Sequence, residues 1–273
     1  MSHSSPHPTT YAYSYYRGSS RIVKNAKTNP KRHLRFPVMT ILVVIAFIII
    51  TVHTGGASTK TDAKAAPTVI SYSKSQTVCL DPGHGGSDPG ALSNDGTINE
   101  RDINLKVALQ VQTSLQNSGY RVFMTRTTND PTMDNNDRWG YCNSQHATIM
   151  VSIHHNDFSD GSVDYATALF YKDSDQALAT SILSATSSQL GIPNDGIAQF
   201  EDSVLSKSTM PSTVSEAFFI TNSSEFSQLT TPNSSRLTIE ARAIVSGIDN
   251  YFTNPKTAQS LVDPNPQVLE RDD

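Results

Sequence analysis

Residues 77–86 read Thr77-Val78-Cys79-Leu80-Asp81-Pro82-Gly83-His84-Gly85-Gly86. The short apolar run Thr77–Leu80 predicts a strand, and it empties into a turn where a proline and three glycines surround one histidine. Glycine opens backbone angles closed to other residues and lets the chain come close to a ligand. Ligands of an open α/β sheet gather at the carboxyl ends of its strands, which is where this histidine stands. Taken alone, the turn fits a ligand-bearing loop and a surface turn that contains a histidine about equally.

Further strand patterns follow at Arg121–Met124, Thr148–His154, Ala166–Tyr171 and Thr213–Phe219, with helical patterns between them. Ile103, Val107, Val111 and Leu115 form one stripe at i, i+4 spacing, and Leu237, Ala241, Ile244, Ile248 and Tyr251 form another. Such alternation predicts an α/β fold: a single layered domain with a central, mostly parallel sheet flanked by helices. With 37% hydrophobic and 17% charged residues in 273, the chain can bury one core of ordinary size, placed here at residues 76–253.

Before the domain, residues 1–52 carry seven basic side chains and no acidic ones, leaving 14 basic and 25 acidic residues in the remainder. That acidic balance argues against a nucleic-acid partner for the globular part. Residues 1–35 read as a disordered basic cytoplasmic tail, and Phe36–Val52 as a transmembrane helix that anchors the chain in the membrane. By the positive-inside rule, everything after Val52 then lies outside the cytoplasm. A cleaved signal peptide, with Gly55 and Ala57 near the cut and a secreted product, is the rival reading. Residues 53–75 read as a flexible linker with a reach of roughly 25–30 Å, and residues 254–273 as a disordered tail. Cys79 and Cys142 are the two cysteines; a disulfide and two buried thiols fit the sequence equally well.

Three more segments place polar chemistry at element ends: Asn99-Glu100-Arg101-Asp102-Ile103-Asn104-Leu105, Val151-Ser152-Ile153-His154-His155-Asn156, and Val214-Ser215-Glu216-Ala217-Phe218-Phe219-Ile220-Thr221-Asn222. Thr97 to Glu100 matches a capping box, so Glu100 reads either as a cap or as a carboxylate ligand at a helix start. His154 and His155 must point to opposite sides of the sheet, and Asn156 could orient whichever ring is used. Two of the domain's four histidines lying just past strand ends favour a metal site. Glu216 stands in an apolar strand, where desolvation would raise its pKa into the range of a general base; a salt bridge to Arg126 or Arg138 is the structural alternative.

In order along the chain, these four segments resemble the amidase type 3 family, the zinc-dependent N-acetylmuramoyl-L-alanine amidases of bacterial cell-wall metabolism. The resemblance runs from Thr77 to Phe252. It implies that His84, Glu100 and His154 are ligands of Zn2+, that Glu216 is the catalytic carboxylate, and that peptidoglycan is the substrate, cut between N-acetylmuramic acid and L-alanine. Two positions depart from the pattern: Phe218 stands where the family commonly has glycine, and His155 replaces a small residue. The first could alter how Glu216 is aimed; the second could add a polar contact at the groove. Two other functions fit the same segments: a non-catalytic peptidoglycan-binding module, and a zinc peptidase acting within the stem peptide. The sequence identifies no protein activator, although Asn194–Met210 is long enough to gate the site.

Overall fold

A computed structural model describes residues 73–254 and 266–269. In chain order the elements are β1 (Thr77–Pro82), α1 (Glu100–Asn117), β2 (Arg121–Met124), α2 (Asn135–Ser144), β3 (Ile149–Asn156), β4 (Ala166–Phe170), α3 (Gln176–Leu190), β5 (Asn194–Phe200), α4 (Ser203–Ser206), β6 (Ser212–Phe219), α5 (Ser223–Thr230), α6 (Arg236–Thr253) and β7 (Gln267–Leu269). The seven strands form one sheet in the order β2-β1-β3-β6-β4-β5-β7. All neighbours run parallel except β4 and β6. The strand and helix stripes read from the sequence fall within these elements, with end points shifted by at most two residues.

Alternation along the central strands sets the layers. Val78 and Leu80 of β1, with Ile149, Val151 and Ile153 of β3, pack against Val107, Val111 and Leu115 of α1, Ile182 of α3, and Ile244 and Ile248 of α6. On the other face Cys79 and Met150 meet Cys142 of α2 and Val204 of α4. Val107, Val111, Leu115, Ile244 and Ile248 are fully buried, each worth roughly 1.5–3 kcal/mol of transfer free energy. The sheet is thus covered on both sides, which is why its central strands read as unbroken apolar runs.

The two cysteines form a disulfide, Cys79–Cys142. It fastens α2 to the middle of β1, the strand that leads into the glycine-rich turn. At the start of α2, the Asp134 carboxylate accepts the Asp137 N–H at 3.0 Å, satisfying an amide that a helix start leaves without a partner.

Three expectations change. Asn194–Phe200 is β5, paired with β4 and β7, so the first half of the segment expected to gate the site is built into the sheet. Within the region expected to be a disordered tail, Gln267–Leu269 pairs with β5 as an edge strand. The linker expected to run to residue 75 is already tied down at Lys74, whose Nζ lies 3.0 Å from Asp249 Oδ1 and 3.7 Å from the Tyr120 ring. The expected tail over 1–35, the membrane span over 36–52 and most of the linker lie outside the described residues. Among those described, no helix is long and apolar enough to cross a membrane.

Urea unfolding with and without excess reductant tests the fastening. The cysteines stand 63 apart in sequence, for which loop closure predicts a loss of about 4 kcal/mol on reduction. An unchanged midpoint would contradict it.

Candidate active site

Two buried arginines hold the turn after β1. Arg138 of α2 donates to Asp81 Oδ1 at 2.8 Å, Pro82 O at 3.1 Å and His84 O at 2.9 Å. Arg126 donates to Pro82 O and Gly83 O, each at 2.8 Å. Carbonyls that no strand could satisfy are thereby paired, and His84 is held at φ 61°, a left-handed conformation costly for a residue with a Cβ. Gly83 is required for another reason. A Cβ there would lie 1.9 Å from Cε1 of the His154 ring, which crosses directly above it.

Glu100 opens α1 and is fully buried. The helix cap is Asn99, and the Thr97 hydroxyl turns to Asp95 at 2.8 Å, so the capping box does not form. Instead the Glu100 carboxylate points into the sheet ends. Its Oε2 accepts the Ala91 N–H at 2.9 Å and faces His84 Nε2 at 2.9 Å. Its Oε1 accepts the His155 N–H at 3.1 Å and faces His154 Nδ1 at 2.9 Å. The His84 and His154 rings meet edge to face with centroids 4.9 Å apart. One ligand atom from each of His84, Glu100 and His154 lies within 4.8 Å of the others.

The His84 ring is oriented from behind by Asp88, whose Oδ2 lies 2.8 Å from Nδ1. The sequence reading passed over Asp88; its signal is a carboxylate four residues after a histidine within one turn. Burial opposes protonation of His84, but the Glu100 and Asp88 carboxylates outweigh it and lift the pKa to about 10. Burial, with the neighbouring His155, pushes His154 down to about 3, although it touches the same Glu100 carboxylate. His154 therefore donates to Glu100 as a neutral tautomer, while His84, with a carboxylate at each nitrogen, carries the proton. A cation entering this triad would displace that proton.

Glu216 lies opposite His154 in the β3–β6 register and is 1% exposed. Neither carboxylate oxygen has a hydrogen-bond partner among the described residues. The alternative of a salt bridge fails, because Arg138 is engaged by Asp81 and Arg126 by carbonyls and Asn129. Desolvation, reinforced by the Glu100 charge, holds the Glu216 pKa well above its ordinary value of 4.5. A buried carboxyl with idle oxygens beside a cluster of two imidazoles and a carboxylate is a group kept for a proton.

Two other expectations are corrected. Asn156 orients neither ring; its Oδ1 accepts the Asp157 N–H at 2.9 Å. His155 does not reach the groove but turns into the α1 and α6 layer, where it is fully buried. There Phe218 covers it at a centroid distance of 4.3 Å. A register shift between His154 and Asn156 carries Phe218 to this side, away from Glu216. The two departures from the family pattern are therefore in contact with each other.

The sequence pattern described as N-acetylmuramoyl-L-alanine amidase matches residues 78–250, a span that holds the whole constellation. The chain belongs to this family. It is 33% identical over 180 residues to the uncharacterized protein YqiI of Bacillus subtilis, covering 65% of this chain and 85% of YqiI. It is 31% identical over 182 residues to the probable cell wall amidase LytH of Staphylococcus epidermidis. That match covers 66% of this chain and spans 60% of the length of LytH. Among solved structures, the N-acetylmuramoyl-L-alanine amidase AmiC2 of Nostoc punctiforme superposes with a TM-score of 0.61 at 30% identity, over 66% of this chain and 98% of AmiC2. Residues 78–250 are thus a peptidoglycan amidase domain with a group of side chains suited to hold a metal ion.

The raised pKa of Glu216 has a consequence for stability. The unfolded chain releases this proton near pH 4.5 while the folded, metal-free chain keeps it, so stability falls as pH rises from there toward the folded pKa. Glu216→Gln removes the fall. Metal-free protein carrying it is expected to melt a few degrees higher than wild type at pH 7–8 and equally at pH 4; a lower melting temperature at pH 8 would contradict the assignment.

Proposed function

We propose that this chain is a zinc-dependent N-acetylmuramoyl-L-alanine amidase that works on peptidoglycan outside the cytoplasm. The observation that carries the reading is Glu216, a buried carboxyl set directly opposite His154 whose oxygens have no hydrogen-bond partner among the described residues. His84, Glu100 and His154 would hold the metal. Two imidazoles and one carboxylate are the donor set of a catalytic zinc site, which keeps a further position open. When bound, zinc supplies Lewis acidity, polarising the scissile carbonyl and making water acidic enough to ionise near neutral pH.

The remaining chemistry belongs to this chain. Glu216 accepts the proton of the attacking water as oxygen bonds to the amide carbon. When the C–N bond breaks, Glu216 returns that proton to the departing nitrogen of L-alanine, leaving the lactyl carboxylate on the glycan. Its apolar surroundings keep its proton affinity high enough for both transfers. Asp88, behind His84, fixes which ring nitrogen faces inward.

An extracytoplasmic setting agrees with the Cys79–Cys142 disulfide, a bond that persists in oxidising compartments. The uncharged apolar run 36–52 behind a basic segment supports membrane anchorage with the amino terminus in the cytoplasm. Peptidoglycan is the proposed partner.

Activity on purified peptidoglycan, read by mass spectrometry together with metal content, tests the proposal. Released peptides should be intact and begin with alanine. Glu216→Gln should retain zinc and lose about 10²–10⁴-fold in turnover, whereas His84→Ala and His154→Ala should lose both metal and activity. Glu216→Gln turning over at the wild-type rate would remove its role. Cleavage inside the stem peptide would make the enzyme a peptidase, and binding without cleavage would make it a wall-binding module.

A further inference from the structure

The mechanism leaves unused a group of polar side chains on the far side of β3. His155, Asn104 and Glu240 are each fully buried, as is Glu100. His155 Nε2 lies 3.0 Å from Glu240 Oε2 on α6, and its Nδ1 lies 2.7 Å from Asn104 Oδ1 on α1. The Asn104 amide nitrogen faces Gly83 O at 3.3 Å and Glu100 Oε1 at 3.2 Å.

Hydrogen-bond accounting gives this chain a direction. Asn104 Nδ2 has two acceptors before it, so its Oδ1 must be the atom turned to His155, and His155 Nδ1 must donate. Glu240 anchors the opposite edge of the ring. Donation thus runs from the His155–Glu240 pair through Asn104 onto Glu100 Oε1, which also receives the His155 backbone N–H at 3.1 Å. Phe218 packs on the ring, with centroids 4.3 Å apart.

Packing alone gives no reason for these groups. Burying a histidine and a glutamate costs desolvation, and apolar side chains of similar volume would join α1, β3 and α6 equally well or better. Here the cost is visible, because Glu240 Oε1 has no partner among the described residues.

We propose that His155, Asn104 and Glu240 are positioning residues that hold the Glu100 carboxylate in its ligand orientation, so that zinc affinity is set from the α6 side of the sheet. The inference rests on the reading of His84, Glu100 and His154 as a zinc site. Outer partners of metal ligands commonly contribute about 10–100-fold in affinity.

Zinc dissociation constants of the purified full chain, measured by competition with a chromogenic chelator, test it alongside melting of the metal-free forms. In the double variant His155→Leu/Glu240→Leu the buried pair leaves as a unit and only Asn104 Oδ1 loses its donor, so metal-free melting should fall by no more than a few degrees. Its zinc affinity should fall about 10–100-fold. Asn104→Ala, which cuts the link but spares the His155–Glu240 pair, should show a loss in the same range even if the double variant does not fold. As a control, Ile248→Ala, a fully buried α6 position outside the network, should melt lower with zinc affinity unchanged. Wild-type affinity in Asn104→Ala or in a folded double variant overturns the inference and leaves the zinc site standing. A wild-type chain that binds no zinc removes the site reading, and this inference with it.

Discussion

One buried carboxylate organises this molecule. Removing the charge of Glu100 from water is affordable only because donors converge on both of its oxygens: backbone N–H groups from Ala91 and His155, the Asn104 amide, and a ring nitrogen from each of His84 and His154. These donors come from the turn after β1, the loop before α1, α1 itself and the end of β3. Withdrawing any of them leaves a charge in a low-dielectric interior. The same convergence that makes Glu100 tolerable draws two histidines, 70 residues apart in sequence, into edge contact.

The sheet makes that convergence possible. β1 and β3 are parallel neighbours, so their carboxyl ends open on the same edge and deliver His84 and His154 to the same height. β6, parallel to β3, brings Glu216 into line with His154. The disulfide fastens α2 to β1 and the Arg138 contacts fasten it to the root of the turn, which keeps His84 in a backbone conformation it would otherwise leave.

Much of this was legible in the sequence because it was local. The strands β1, β2, β3, β4 and β6 are apolar runs of ordinary length, and α1 and α6 carry periodic stripes that face the core, buried in α1 and half-buried at Leu237 and Tyr251 of α6. The residues that meet at the site stood out as polar groups at the ends of apolar runs. β5 was not legible. Its sequence, Asn194 to Phe200, is half polar and contains Gly196 at φ 89°, and its strand character comes from pairing with β4 and β7. α2 carries Gly140 and several asparagines, and it buries only Arg138 and Cys142. Pairings made across the fold, such as Cys79 with Cys142 or His155 with Glu240, leave no mark in spacing. The capping box of Thr97 and Glu100 misled for a related reason: the pattern was present, but tertiary donors outbid the local amide.

The contact between His155 and Phe218 bears on how sequences of this kind can change. At the two places where the chain departs from its family's pattern, the side chains lie against each other in a closed layer, ring on ring at a tilt of 57°. Restoring glycine at 218 alone would open a void beside a buried imidazole, and restoring a small residue at 155 alone would strand Glu240 and Asn104. The packing of either residue is therefore conditional on the other. A chimera that takes β3 from one relative and β6 from another inherits half of an agreement, however similar the two strands look when aligned.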